Sequence, residues 1–198
     1  MSVQKYQEKV TISKVKKAYT TLSQVYRQIF NEYGYAGEWD DPSSSINKTA
    51  ELFQPYFNTI KTCKNYSDKT ACAQLNKLYS LSGELIKDDV APSDNKTAFV
   101  VLNDGTIILF AGGQSAYIIL ENQKNLILNK NIFNITFKND GSTGSLKCSN
   151  SLDPVNLYNG DIGNGCPPTA VDWIILYNNM DYIHCAQKLH NTGKHSCK

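Results

Sequence analysis

The sequence predicts an α+β fold: a long N-terminal helix packed on an antiparallel β-meander, with disulfide-tied loops. Val10 to Tyr33 holds neither proline nor glycine, and its apolar residues recur at spacings of three and four. Short β-rich runs separated by Asn-Asp-Gly and Gly-Gly turns fill the stretch from 96 to 141. Six cysteines are scattered from Cys63 to Cys197.

The helix comes first. Val15, Ala18, Leu22, Val25 and Ile29 form its seam, and Tyr19, Tyr26, Phe30 and Tyr33 widen the stripe. Gly34 supplies a stop. The pattern extends back through Val3 and Tyr6, which makes about thirty residues, or on the order of 45 Å at 1.5 Å per residue. Such a helix could span the domain and project beyond it. Tyr35 to Ser45 reads as a loop in which Trp39 plugs a hydrophobic gap. From Ile46, the residues Ala50, Leu52, Phe53, Tyr56, Phe57 and Ile60 keep helical spacing, and Pro55 should kink or divide that helix. A short helix or turn is expected over Ala71 to Ser82, then a charged surface connection over Glu84 to Asn95.

The texture then changes to strands: 97–102, 106–111, 117–121 and 132–138, with a connection of uncertain form from Asn122 to Lys130. Asn103-Asp104-Gly105 is a hairpin turn. One apolar face of this meander should lie against the N-terminal helix. Gly141–Pro168 lacks regular signal and reads as a long loop. Thr169 to Asn178 is the most apolar segment of the C-terminal part, helix or strand, and the tail from Ala186 is loose unless Cys197 pins it.

With 198 residues the chain is one domain, or one domain with a helical extension. A net charge of +2 with 19% charged residues is too balanced to argue for nucleic acid. Lys5, Lys9, Lys14, Lys16 and Lys17 cluster near the N-terminus, as a solvated helix face or a juxtamembrane basic region would. No run is long enough to span a bilayer. The cysteines Cys63, Cys72, Cys148, Cys166, Cys185 and Cys197 suit disulfides in an oxidising compartment. Six cysteines allow fifteen pairings; proximity along the chain favours Cys63–Cys72, Cys148–Cys166 and Cys185–Cys197. Asp153, Asn156, Asn159 and Asp161 place oxygen donors at short intervals, as a calcium site would, although a polar loop explains the same composition. No catalytic constellation stands out: there is no Gly-x-Ser-x-Gly elbow and the three histidines crowd into the last fifteen residues. The reading is therefore of a protein that is not an enzyme and needs no cofactor. Asn-x-Ser/Thr sequons occur at Asn47, Asn65, Asn95 and Asn134.

Four stretches carry a resemblance. Lys16-Lys17-Ala18-Tyr19-Thr20-Thr21-Leu22-Ser23-Gln24 resembles the region after the membrane segment in type IV pilin-like proteins, the pilins and type II secretion pseudopilins. Leu52-Phe53-Gln54-Pro55-Tyr56-Phe57 leading to Lys61-Thr62-Cys63 is similar to another segment of that group. The hairpin around Asp104-Gly105-Thr106 is a third. Most specific is Trp173-Ile174, Tyr177-Asn178-Asn179-Met180-Asp181-Tyr182 and Cys185, which resembles a C-terminal motif of the group. The family's Gly-Phe-Thr-Leu-x-Glu cleavage signature is absent, and Leu120 to Asn131 departs from the group's Asp-rich pattern.

The resemblance implies a pilin-like fold in which residues 1–34 are the C-terminal half of a spine and 35–198 the globular head of the same domain. It also implies an upstream hydrophobic helix that anchors the subunit in the inner membrane. The implied partners are copies of itself or related pilins in a filament, with inner-membrane assembly machinery, and Val15, Leu22, Val25 and Ile29 lie on the assembly helix. The implied location is the cell envelope, in the periplasm or on an extracellular filament. The alternative is a secreted, disulfide-stabilised binding module with Gly141–Pro168 as its recognition surface.

Overall fold

A computed structural model describes residues 2–39, 47–63, 77–88, 98–110, 114–120, 125–144, 153–160, 170–190 and 192–198. Helix α1 spans Val3–Tyr33, capped at its start by the Ser2 hydroxyl, which accepts from Lys5 N–H at 3.4 Å. Gly34 ends it at φ 75°, donating its N–H to the Phe30 carbonyl at 2.9 Å. Helix α2 is short, Lys48–Phe53, and passes into a 3₁₀ turn at Gln54–Tyr56. The helical spacing of Tyr56, Phe57 and Ile60 therefore misleads. Pro55 tightens the chain at that point and Phe57 is extended, so Ile60 falls in a strand.

The strands are β1 (Thr59–Cys63), β2 (Lys77–Tyr79), β3 (Leu85–Lys87), β4 (Ala98–Leu102), β5 (Ile107–Phe110), β6 (Ser115–Ile119), β7 (Asn125–Ile127), β8 (Ile132–Phe137) and β9 (Thr143–Gly144). Six of them form one antiparallel sheet in the order β1-β4-β5-β6-β8-β9. The others form a small sheet, β3-β2-β7, in which β2 and β7 run parallel. Three sequence expectations change here. Part of the expected helix or turn at 71–82 is strand β2, the surface connection after Glu84 contains β3, and the uncertain connection before Lys130 contains β7. Each is a three-residue strand, too short to show a period; β2 and β3 pair across the 80–84 turn, and β2 pairs with the distant β7.

Three further helices follow: α3 (Pro154–Asn159), α4 (Ala170–Tyr177) and α5 (Tyr182–Cys185). Helix α3 and β9 interrupt what reads as a structureless loop. The signals for α3 are present in the sequence: Asp153 caps Val155 N–H at 2.8 Å, Pro154 opens the first turn, and Gly160 closes it at φ 67°. Between helix and strand for the apolar segment after Thr169, the structure chooses helix.

Both faces of the large sheet are buried, not one. On the first, Phe133, Ile135 and Phe137 of β8 join Val100, Ile108 and Phe110 against α1 and against Trp173 and Ile174 of α4. On the second, Phe99, Ile107, Leu109, Ile119 and Ile132 pack with Leu78, Leu126 and Leu128 of the small sheet and its flank. The sequence shows the reason: Ile107-Ile108-Leu109-Phe110 is a continuous apolar run, and all four residues are buried.

Candidate functional site

Helix α1 divides into two unequal halves. Val15, Leu22, Val25 and Ile29, the residues expected on the assembly helix, are all buried in the molecule's own core. Toward the N-terminus the same helix leaves Val3 74% and Tyr6 59% exposed, with Val10 also exposed. The large apolar side chains that α1 leaves exposed are Val3, Tyr6 and Val10 near its start and Tyr33 at its end.

Where α1 meets the head, three of the four resembling stretches converge. Lys16 donates to Asn178 Oδ1 at 2.7 Å, at the end of α4. Lys17 forms a 2.9 Å ion pair with Asp104 in the β4–β5 hairpin. Tyr19 reaches the Thr143 carbonyl at 3.5 Å, and the Ser23 hydroxyl meets that of Thr143. The adjacent lysines thus straddle the helix and grip two different parts of the head, while Ala18 and Leu22 sit in the core between them. Burial pushes the Asp104 carboxyl up, but the Lys17 ammonium and the hydrogen bonds from Thr106 outweigh it and hold the group at about 2.

The helix's C-terminal half ends in an aromatic cluster. Tyr26 stacks within 6.5 Å of Phe53 and lies 4.9 Å from Phe137 and 5.9 Å from Trp39. Its hydroxyl donates to the Lys138 carbonyl at 2.7 Å and accepts from Ala36 N–H at 3.4 Å. Burial pushes this phenol up to about 12, against the opposing Ala36 hydrogen bond. Trp39 plugs the cluster's edge as expected, half-buried, with its indole N–H donating to the Tyr33 carbonyl at 3.0 Å.

The C-terminal motif works as a clasp. Asn178 adopts φ 54°, which a short amide side chain tolerates. Asn179 Oδ1 accepts from the Trp173 indole and from Asp181 N–H, both at 3.0 Å, and its amide donates to the His195 carbonyl at 2.9 Å. Asp181 Oδ2 accepts from Cys197 N–H at 2.8 Å. Cys185 and Cys197 are disulfide-bonded, and the His195 ring stacks on Tyr177 at 3.9 Å. The tail is thereby pinned. Tyr182, fully buried, donates to the Asn129 carbonyl at 2.7 Å; burial first, and the Glu8 carboxylate second, push its phenol well above its ordinary value. Asn129 is the hub beneath it. At φ 64° and wholly buried, it donates to the Leu157 carbonyl at 2.9 Å and accepts from Ala170 N–H at 3.3 Å. It joins β7's flank, α3, α4 and α5, and no motif search on the sequence would single it out.

Of the other cysteines, Cys63 is disulfide-bonded, whereas Cys72, Cys148 and Cys166 lie outside the described residues. With Cys185 and Cys197 joined to each other, neither is open to a metal. Of the proposed calcium ligands, Asp153 is occupied as the α3 cap, Asn156 and Asn159 sit within α3, and Asp161 lies outside the described residues. Among the described residues no three His, Cys, Asp or Glu side chains are placed to share a metal ion, and no helix is long and apolar enough to cross a membrane. The sequons at Asn47 and Asn134 are buried: Asn47 caps α2 and Asn134 is 5% exposed on β8. Those at Asn65 and Asn95 lie outside the described residues.

No family model matches this chain, and neither does any curated protein or solved structure.

Proposed function

We propose that this chain is the head domain of a filament subunit of the type IV pilin-like class, nearest in kind to the pseudopilins of type II secretion. The observation that carries the reading is the division of α1. Its C-terminal half is locked to the head by Lys16, Lys17 and the buried seam, while its N-terminal half presents Val3, Tyr6 and Val10 to the outside. A spine helix needs this division: one end builds the head's core, the other continues toward an anchor and meets neighbouring subunits. That three resembling stretches touch at the junction also supports it, because it gives their separate residues one shared task.

On this reading the protein is structural, with no catalytic residues. Its partners are copies of itself or related pilins and the inner-membrane assembly machinery, and its place is the cell envelope. The test is the native coding sequence upstream of Ser2. A basic leader, a cleavage site with a glutamate soon after, and about twenty apolar residues running into Val3 are expected. If the native protein starts at this point, the filament reading is lost and a secreted, disulfide-stabilised binding module replaces it. Where the anchor is found, Tyr6→Lys in the full-length subunit should abolish sheared filaments without changing subunit abundance.

A further inference from the structure

The first two turns of α1 overhang the head, and packing into the core begins at Ile12 and Val15. Beneath the overhang runs a groove of about 560 Å³, within the range of ligand-binding clefts. Tyr6, Val10 and Lys14 line the helix side, and Leu120, Met180 and Ile183 are among the apolar residues of the opposite side. Leu120 and Met180 belong to the buried core, so the groove's floor is the core itself. A 2.7 Å contact between Glu8 and His184 bridges the two sides and holds the helix at this distance from the head.

The charges of the lining are unequal. Glu8 is the one carboxylate among the lining residues, and it is engaged by His184. Lys14 and Lys130 contribute two ammonium groups from opposite sides. Lys14 is half-buried and Lys130 exposed, and among the described residues neither ammonium makes a hydrogen bond or ion pair. Two ammonium groups facing each other across an apolar groove, with Glu8 already engaged, are complementary in charge to a carboxylate. The side-chain amides of Gln4 and Gln7, exposed on the same helix side, suit a peptide backbone and have nothing to offer an aliphatic chain.

We infer that this groove binds a short acidic peptide segment of another protein, with its carboxylate between Lys14 and Lys130 and its apolar side chains on Leu120, Met180 and Ile183. Met180 suits such a floor, since its unbranched thioether adapts to differently shaped side chains. The inference does not depend on filament assembly, because it uses only the isolated domain.

The test titrates the full 198-residue chain, labelled with ¹⁵N, with an N-acetylated, C-amidated Leu-Glu-Leu-Asp-Leu peptide. Amide shifts should concentrate at Leu120, Lys130, Met180 and Ile183, with saturation below 1 mM on the order of micromolar-to-millimolar binding. The Leu-Gln-Leu-Asn-Leu isostere should bind about tenfold more weakly, the equivalent of ~1.4 kcal/mol for the lost charge. K14Q with K130Q should lose the same factor for the acidic peptide and nothing for the isostere. Both lysines reach solvent, so the double variant folds, which circular dichroism checks. Equal binding of peptide and isostere, shifts that map elsewhere, or octanoate binding as tightly as the peptide would each overturn the inference.

Discussion

Replacing Asn129 with alanine should be among the most damaging single changes in this molecule. The side chain makes two buried hydrogen bonds, to the Leu157 carbonyl and from Ala170 N–H. Truncation leaves both backbone groups unpaired in the interior, at roughly 1–3 kcal/mol each. Alanine must also hold φ 64°, which costs it about 1 kcal/mol that asparagine largely avoids. The expected loss is about 3–7 kcal/mol, a large fraction of the roughly 5–15 kcal/mol that stabilises an ordinary domain. Urea unfolding with the disulfides intact measures it, using the shift in midpoint at constant slope. Asn129→Gly separates the terms: it keeps the backbone relaxed and still loses both bonds. It should fall between wild type and alanine, nearer to alanine. A loss under 1 kcal/mol for alanine would refute the hub, and equal stability of glycine and alanine would refute the backbone argument.

Tyr26→Phe should cost about 1–2 kcal/mol by leaving the Lys138 carbonyl without its buried donor. Because the folded phenol is held at about 12 against an ordinary value near 10, wild-type stability should also fall between those pH values while the phenylalanine variant loses less; alkaline melting curves of the two proteins provide the check. Replacing Cys185 and Cys197 together with alanine opens a loop whose ends are 12 residues apart and should cost about 3 kcal/mol in the chain-entropy account. Trp173 fluorescence should change with it, since Asn179 links that indole to the tail; an unchanged emission would mean the hydrogen bonds hold the tail alone. Asp104→Asn should lower stability by less than about 1 kcal/mol at neutral pH, because Lys17 is largely exposed. Asp104 is depressed in the folded state, so its contribution is present above pH ~4 and lost as the pH falls toward about 2. A difference between the two proteins that persists at pH 2 would exclude the ion pair as its source.

Much of the fold was legible. Helix α1 could be read from end to end because its seam residues need no distant partner to reveal their period. The β4–β5 hairpin was legible for the same reason, with Asp104-Gly105 between two apolar runs. Helix α3 was missed although Asp153, Pro154 and Gly160 announce it, because six residues are too few to show a period. The junction between α1 and the head was half legible. Lys16, Lys17, Asp104 and Asn178 stood in the resembling stretches, but nothing in their spacing says that they meet.

What the sequence determined by itself is therefore local: where the backbone coils, where it extends, where glycine or proline ends an element. Tertiary structure alone decided which side of α1 is spent on the core and which remains free. It made a hub of Asn129 and a clasp of Asn179 and Asp181, and it buried both faces of the large sheet. The physical reason is range. Periodicity and capping act within a turn or two, whereas burial and hydrogen-bond satisfaction are properties of whichever groups the completed fold brings together, 41 residues apart in the case of Asn129 and Ala170.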